Sequence, residues 1–198
     1  MQPPDYLAEY LALRAANDQL RQRGQAWLFD AMEKLCAERN REFLPEPAAG
    51  SKSSDDSKDD SKDTNSARSA PSANSSENGS PANSPPMIQI GRQPWQFKVG
   101  NSTMVGERLG LRYRMNTLVI EVGWPREPEH GHVPSQGLAR GRIGLSRNPL
   151  IEPQYIHELI LKAAGENDAA WHHITQQQTV ATLTEADLHT IFQKLLAE

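Results

Sequence analysis

The sequence predicts an α+β protein in three segments: a helical stretch over residues 1–44, a disordered linker over 45–86, and an α+β domain over 87–198. Two changes of hydrophobic period and one gap in apolar residues predict this. Helical spacing runs to Phe43, period-two alternation begins at Ile88, and helical spacing returns after Pro149. Between Leu44 and Met87 the only hydrophobic residues are alanines. The domain then reads as an antiparallel β-meander followed by two or three helices.

The first segment has no proline between Tyr6 and Phe43, and Asp5 offers a helix N-cap. Tyr6, Tyr10, Leu13, Asn17, Leu20, Gly24, Trp27 and Ala31 alternate at spacings of four and three. That is a heptad seam, with Asn17 where a polar residue can fix register. The seam drifts after Ala31, where Leu28, Met32 and Leu35 form a neighbouring stripe. Two roles fit: an amphipathic helix docked on the later domain, or a short coiled coil or helical hairpin broken at Gly24. Residues 5–43 are therefore the candidate surface for a protein partner or self-association. Cys36, one turn after Met32, reads as a packing residue.

The linker is dominated by Ser, Asp, Asn and Pro, exemplified by Ser51 to Lys62. It has too little apolar surface to offset ordering costs of roughly 1–2 kcal/mol per residue. The remaining 156 residues are near the globular norm in hydrophobic content.

In the third segment, Ile88 and Ile90, then Trp95, Phe97 and Val99, alternate with polar residues. Leu109, Leu111 and Tyr113 follow, and then Leu118, Ile120 and Val122. These are strand patterns with one buried face. Met115-Asn116 suits a hairpin tip, because Asn tolerates positive φ. Leu138 to Leu145 predicts a further strand. Ile156, Leu159, Ile160 and Ala163 share a helical face, and Ala170, Trp171 and Ile174 suggest a second helix. Thr184 to Asp187 forms a capping box before Leu188, Ile191, Phe192, Leu195 and Leu196.

Twenty-one Lys and Arg against 25 Asp and Glu give a net charge of −4, unevenly spread. Residues 87–150 carry +5 and residues 151–198 carry −5. On an extended chain, burying Leu109, Leu111 and Tyr113 turns Arg108, Arg112 and Arg114 to the opposite face. Arg140 and Arg142 join them if their segment is a strand. Five guanidiniums on one sheet surface form either a candidate anion-binding face, with nucleic acid as one ligand, or a solvated outer face partly paired with Glu107, Glu121 and the acidic helices. No recognised nucleic-acid motif accompanies them, and a helix-turn-helix in the −5 segment would be repelled by phosphate.

His130 and His132, with His172 and His173 as a second pair, are the candidate ligands for a catalytic zinc and hence a metal-dependent hydrolase. HExxH is missing, as are Walker, GxGxxG and GxSxG motifs. No cofactor is implied. No apolar run reaches membrane-spanning length, and the amino terminus lacks the basic and apolar regions of a signal peptide. One cysteine excludes an internal disulfide framework, so the cytoplasm is the expected compartment. The expected function is a non-enzymatic interaction or adaptor protein carrying a tethered α+β binding domain.

Overall fold

The computed structural model describes residues 6–43, 86–133, 137–148, 150–165, 167–174 and 180–197. A long helix, α1 (Tyr6–Arg41), comes first. Seven strands follow: β1 (Gln89–Val99), β2 (Ser102–Tyr113), β3 (Asn116–Trp124), β4 (Ala139–Ser146), β5 (Gln154–Ala163), β6 (Ala169–Ile174) and β7 (Val180–Thr182). Helix α2 (Glu185–Leu196) closes the chain. All strands join one antiparallel sheet in sequence order, β1 to β7.

The meander and the final helix match the sequence reading, but among the described residues only one helix follows the meander. The two earlier helices expected after Pro149 are strands β5 and β6. Leu159-Ile160-Leu161 explains the first error: Leu159 and Leu161 enter the core beneath the helices, while Ile160 is buried on the reverse face. A strand buried on both faces loses its period-two signature. In β6, Trp171 alone is fully committed to the core, and two alanines before it supply helical composition without strand pattern.

Glycine and proline around Gly91 to Pro94 do not break β1, which runs through them. As an edge strand, β1 tolerates a residue with no N–H to donate. The β2–β3 turn also sits one step earlier than expected. Arg114 carries the positive φ, 54°. Asn116 instead begins β3 and donates from Nδ2 to the carbonyls of Leu195 (2.9 Å) and Ala197 (2.8 Å), tying down the end of α2. The start of α2 is held by the expected box: Thr184 Oγ1 accepts from Asp187 N, and Asp187 Oδ2 accepts from Thr184 N.

Both helices cover the same face of the sheet. Leu28, Phe29, Met32 and Cys36 of α1 share one core with Leu109, Leu118, Ile120, Ile143, Leu159, Leu161 and Trp171, and with Leu188, Ile191, Phe192 and Leu195 of α2. The helix approaches the sheet closely at Gly24, where an added Cβ would lie 2.6 Å from Leu161 Cδ1. The Trp171 indole N–H donates to the Gly24 carbonyl at 2.7 Å, pinning the helix to β6 at the same point.

Further along α1, Asn40 and Ile88 exchange two hydrogen bonds, Asn40 Nδ2 to Ile88 O (3.0 Å) and Ile88 N to Asn40 Oδ1 (2.8 Å). The expected disordered linker, 45–86, lies outside the described residues except for Pro86. Its two flanks nevertheless meet at this pair, so the stretch begins and ends at one place on the folded body.

Candidate interaction surface

Helix α1 serves two environments. From Leu20 to Cys36 its inner face is core. From Tyr6 to Ala16 every residue is exposed, including Tyr6 (70%), Leu7 (65%), Tyr10 (58%), Leu11 (51%) and Leu13 (62%). The heptad seam thus changes environment midway: Leu20 and Gly24 are buried, whereas Tyr6, Tyr10 and Leu13, on the same face, stay more than half exposed. Helix order in this arm needs no new nucleus, because it extends a helix already fixed by packing.

A groove separates the arm from the loop that leaves β3. Tyr10, Leu13, Arg14, Asn17 and Arg21 form one wall, and Pro125 to Pro128 form the other, around a cavity of about 360 Å³. Arg14 Nη2 donates to the Arg126 carbonyl at 3.4 Å across it. Arg21 is anchored deeper, with Nε donating to Leu138 O at 2.8 Å and Nη1 paired with Asp18 at 2.7 Å. Arg21 and Arg126 both lie over the Trp124 ring, at 6.0 and 5.7 Å from its centroid. A second cavity of about 380 Å³ opens between α1 and β6, with Trp27, Trp171, Ala170 and Leu183 in its wall.

The five candidate arginines are distributed along the reverse face of the sheet and its β2–β3 end. Arg108 and Arg142 converge on one carboxylate, Glu121, which is completely buried. Arg142 Nε donates to Glu121 Oε2, Arg108 Nε lies 3.8 Å from Oε1, and the Tyr155 hydroxyl donates to Oε1 at 3.0 Å. Burial foremost, with Glu121 next, pushes the Tyr155 phenol up and keeps it a donor. The Arg142 guanidinium stacks between Tyr155 (3.9 Å) and Phe97 (4.7 Å), and Arg108 stacks on Trp95 (4.5 Å). Arg140 pairs with Glu158 at 3.2 Å, and its burial lowers its pKa. Arg112 and Arg114 are exposed at the hairpin end. Sequence reasoning named Glu121 as a partner of this face but not its complete burial between Arg108 and Arg142. Its position opposite both Arg108 and Arg142 in strand register is the signal for that central place.

His130 closes a 3₁₀ turn, Pro128–His130, in which its Nδ1 accepts from Glu127 N at 3.4 Å. His132 reaches Ser102 Oγ through its backbone N–H. His172 and His173 lie on strand β6, not on a helix, and His157 lies on β5. The rings of His157 and His173 are 5.0 Å apart, and His173 Nε2 is 3.9 Å from Asp187. Burial, followed by His173 and Lys194, lowers the pKa of His157. Among the described residues no three His, Cys, Asp or Glu side chains are grouped to hold a metal ion. No helix among them is long and apolar enough to cross a membrane.

Comparison with family models, with curated proteins and with solved structures finds no match for this chain.

Proposed function

We propose that this chain is a non-enzymatic interaction protein whose binding element is the first half of α1. The observation that carries this is the run of exposed Tyr6, Leu7, Tyr10, Leu11 and Leu13 on a helix whose second half is core. Together these side chains present on the order of 600 Å² of mostly apolar surface, at the upper end of what a monomer's largest patch offers. The sheet and α2 act as the base that holds the arm in place, so a partner meets a preformed helix and bears little ordering cost. A reducing compartment such as the cytoplasm suits the single, buried Cys36.

Anion binding by the arginine face draws less support from the geometry, because Arg108 and Arg142 face Glu121 and Arg140 faces Glu158. Metal-dependent hydrolysis draws less still, since His130 and His132 are engaged in local loop structure.

Site-specific photocrosslinking tests the reading. A benzophenone amino acid at position 10 of the full chain is expected to give crosslinked adducts in cells, whereas the same group at the exposed position 185 gives none. Equal labelling from the two positions would contradict an interaction role for the arm.

A further inference from the structure

Building on the interaction reading, we infer that the groove beside the arm takes a short, extended acidic segment of a protein partner, with a carboxylate held by Arg14 and Arg126 and an apolar side chain laid on Tyr10 and Leu13. Two cavities make up this groove. One, of about 360 Å³, is walled by Tyr10 and Leu13, and the other, of about 340 Å³, runs on to Asp18 and Trp124. They share Arg14, Arg21, Pro125, Arg126 and Glu127, so they are two lobes of one trough, apolar at one end and basic along its middle.

The charges lining the trough are unequally committed. Arg21 is paired with Asp18 at 2.7 Å and donates to Leu138 O at 2.8 Å. The Glu127 carboxylate turns back into its own 3₁₀ turn, where it accepts the His130 backbone N–H. Arg14 and Arg126, by contrast, form no ion pair with any described residue. Arg14 makes a long hydrogen bond, 3.4 Å, to the Arg126 carbonyl, and Arg126 lies over the Trp124 ring. Two exposed guanidiniums thus stand over one trough with most of their donors uncommitted, and that planar donor set matches a carboxylate.

Shape and charge select an extended peptide. From Tyr10 to Arg21 the helical wall rises about 16 Å, the length of about five residues of extended chain. A helix some 10 Å across is too wide for the trough. A nucleic acid fits less well. The lining sets three arginines against Asp18 and Glu127, and residues 6–17 supply no base besides Arg14. A polyanion gains its affinity from a longer basic run. Trp124 is nearly buried and already flanked by Arg21 and Arg126, so it offers no open face to a base.

Selection of displayed random heptapeptides on the full chain tests this. The selected peptides are expected to carry Asp or Glu beside an aromatic or aliphatic residue. Arg14→Gln combined with Arg126→Gln should weaken their binding by at least about tenfold, at an unchanged thermal midpoint because both side chains are exposed. Arg112→Gln, exposed at the β2–β3 end, should leave binding intact. Peptides without acidic enrichment, no selected peptide at all, or binding that survives loss of both arginines overturns the inference. Tighter binding of a labelled oligothymidylate than of the selected peptides also overturns it, in favour of nucleic acid. Crosslinking from position 10 separates this inference from the reading beneath it. Adducts that persist in the Arg14→Gln, Arg126→Gln chain exclude the acidic segment and leave the interaction reading standing. Adducts lost with the two arginines support both, and a chain that gives none even with both arginines present sinks both.

Discussion

Gly24→Leu separates a helix that docks on the sheet from one that does not, because the two cases give opposite signs. In a free helix, Leu is favoured over Gly by about 0.8 kcal/mol. In this structure the first carbon alone would sit 2.6 Å from Leu161 Cδ1, 2.7 Å from Cδ2 and 3.2 Å from Cγ. Normal carbon contacts are about 3.5–4.0 Å. Leu161 has no exposure, and its register neighbours Ala139 and Trp171 are buried too, so it has little room to retreat. Overpacking of this kind costs about 1–3 kcal/mol. Lifting the helix also stretches the Trp171–Gly24 hydrogen bond, and a buried donor left unpaired costs about 1–3 kcal/mol more. The net expectation is a loss of about 3 kcal/mol after the propensity gain is subtracted. Urea unfolding followed by circular dichroism reads it as a lower midpoint at unchanged slope. An unchanged or raised midpoint would refute the docking of α1 at Gly24.

Four further outcomes are expected. Replacing residues 45–86 by a short Gly/Ser loop should preserve the fold and add about 1.5 kcal/mol of stability, because Asn40 and Ile88 are already joined and a shorter loop costs less entropy to close; unfolding on excision would contradict this. Glu121→Ala should cost about 3 kcal/mol by leaving two arginines without their buried counterion, read by the same urea assay, and an unchanged midpoint would contradict that role. Burial chiefly, then Glu33, pushes the Cys36 thiol up to about 12, so alkylation of the native protein should proceed only as fast as it unfolds. The fold holds His157 and His172 below the usual imidazole value, largely through burial, so the unfolded chain takes up those protons first as pH falls. Stability is therefore full above about pH 6.5 and declines below it, and His157→Phe should flatten part of that slope.

Much of the architecture could be read from residue pattern because particular residues served one role each. Leu109, Leu111 and Tyr113 face only the core, and Thr184 to Asp187 serve only as a cap, so their spacing was sufficient. Pattern failed where one residue answered to two surfaces. Ile160 is buried on the face opposite Leu159 and Leu161, which makes β5 look helical. Pro94 reads as a breaker until β1 is known to be an edge. For the candidate surface, the heptad seam was visible in sequence, but its division was not. Whether Tyr10 and Leu20 share a partner depends on where the sheet ends, a long-range fact that no local spacing encodes. The same limit applies to Glu121: its pairing with the arginine face was legible, but its buried place between Arg108 and Arg142 needs the register of three strands.

Amide hydrogen exchange along α1, measured in dilute solution, tests the division of this helix most directly. Amides from Leu20 to Cys36, on the face packed into the core, should exchange only with global unfolding, while those from Tyr10 to Asn17 should exchange by local fraying, with a step between Asn17 and Leu20. Uniform protection from Tyr10 through Cys36 would contradict the account, because it would place the arm in the same packed environment as the rest of the helix.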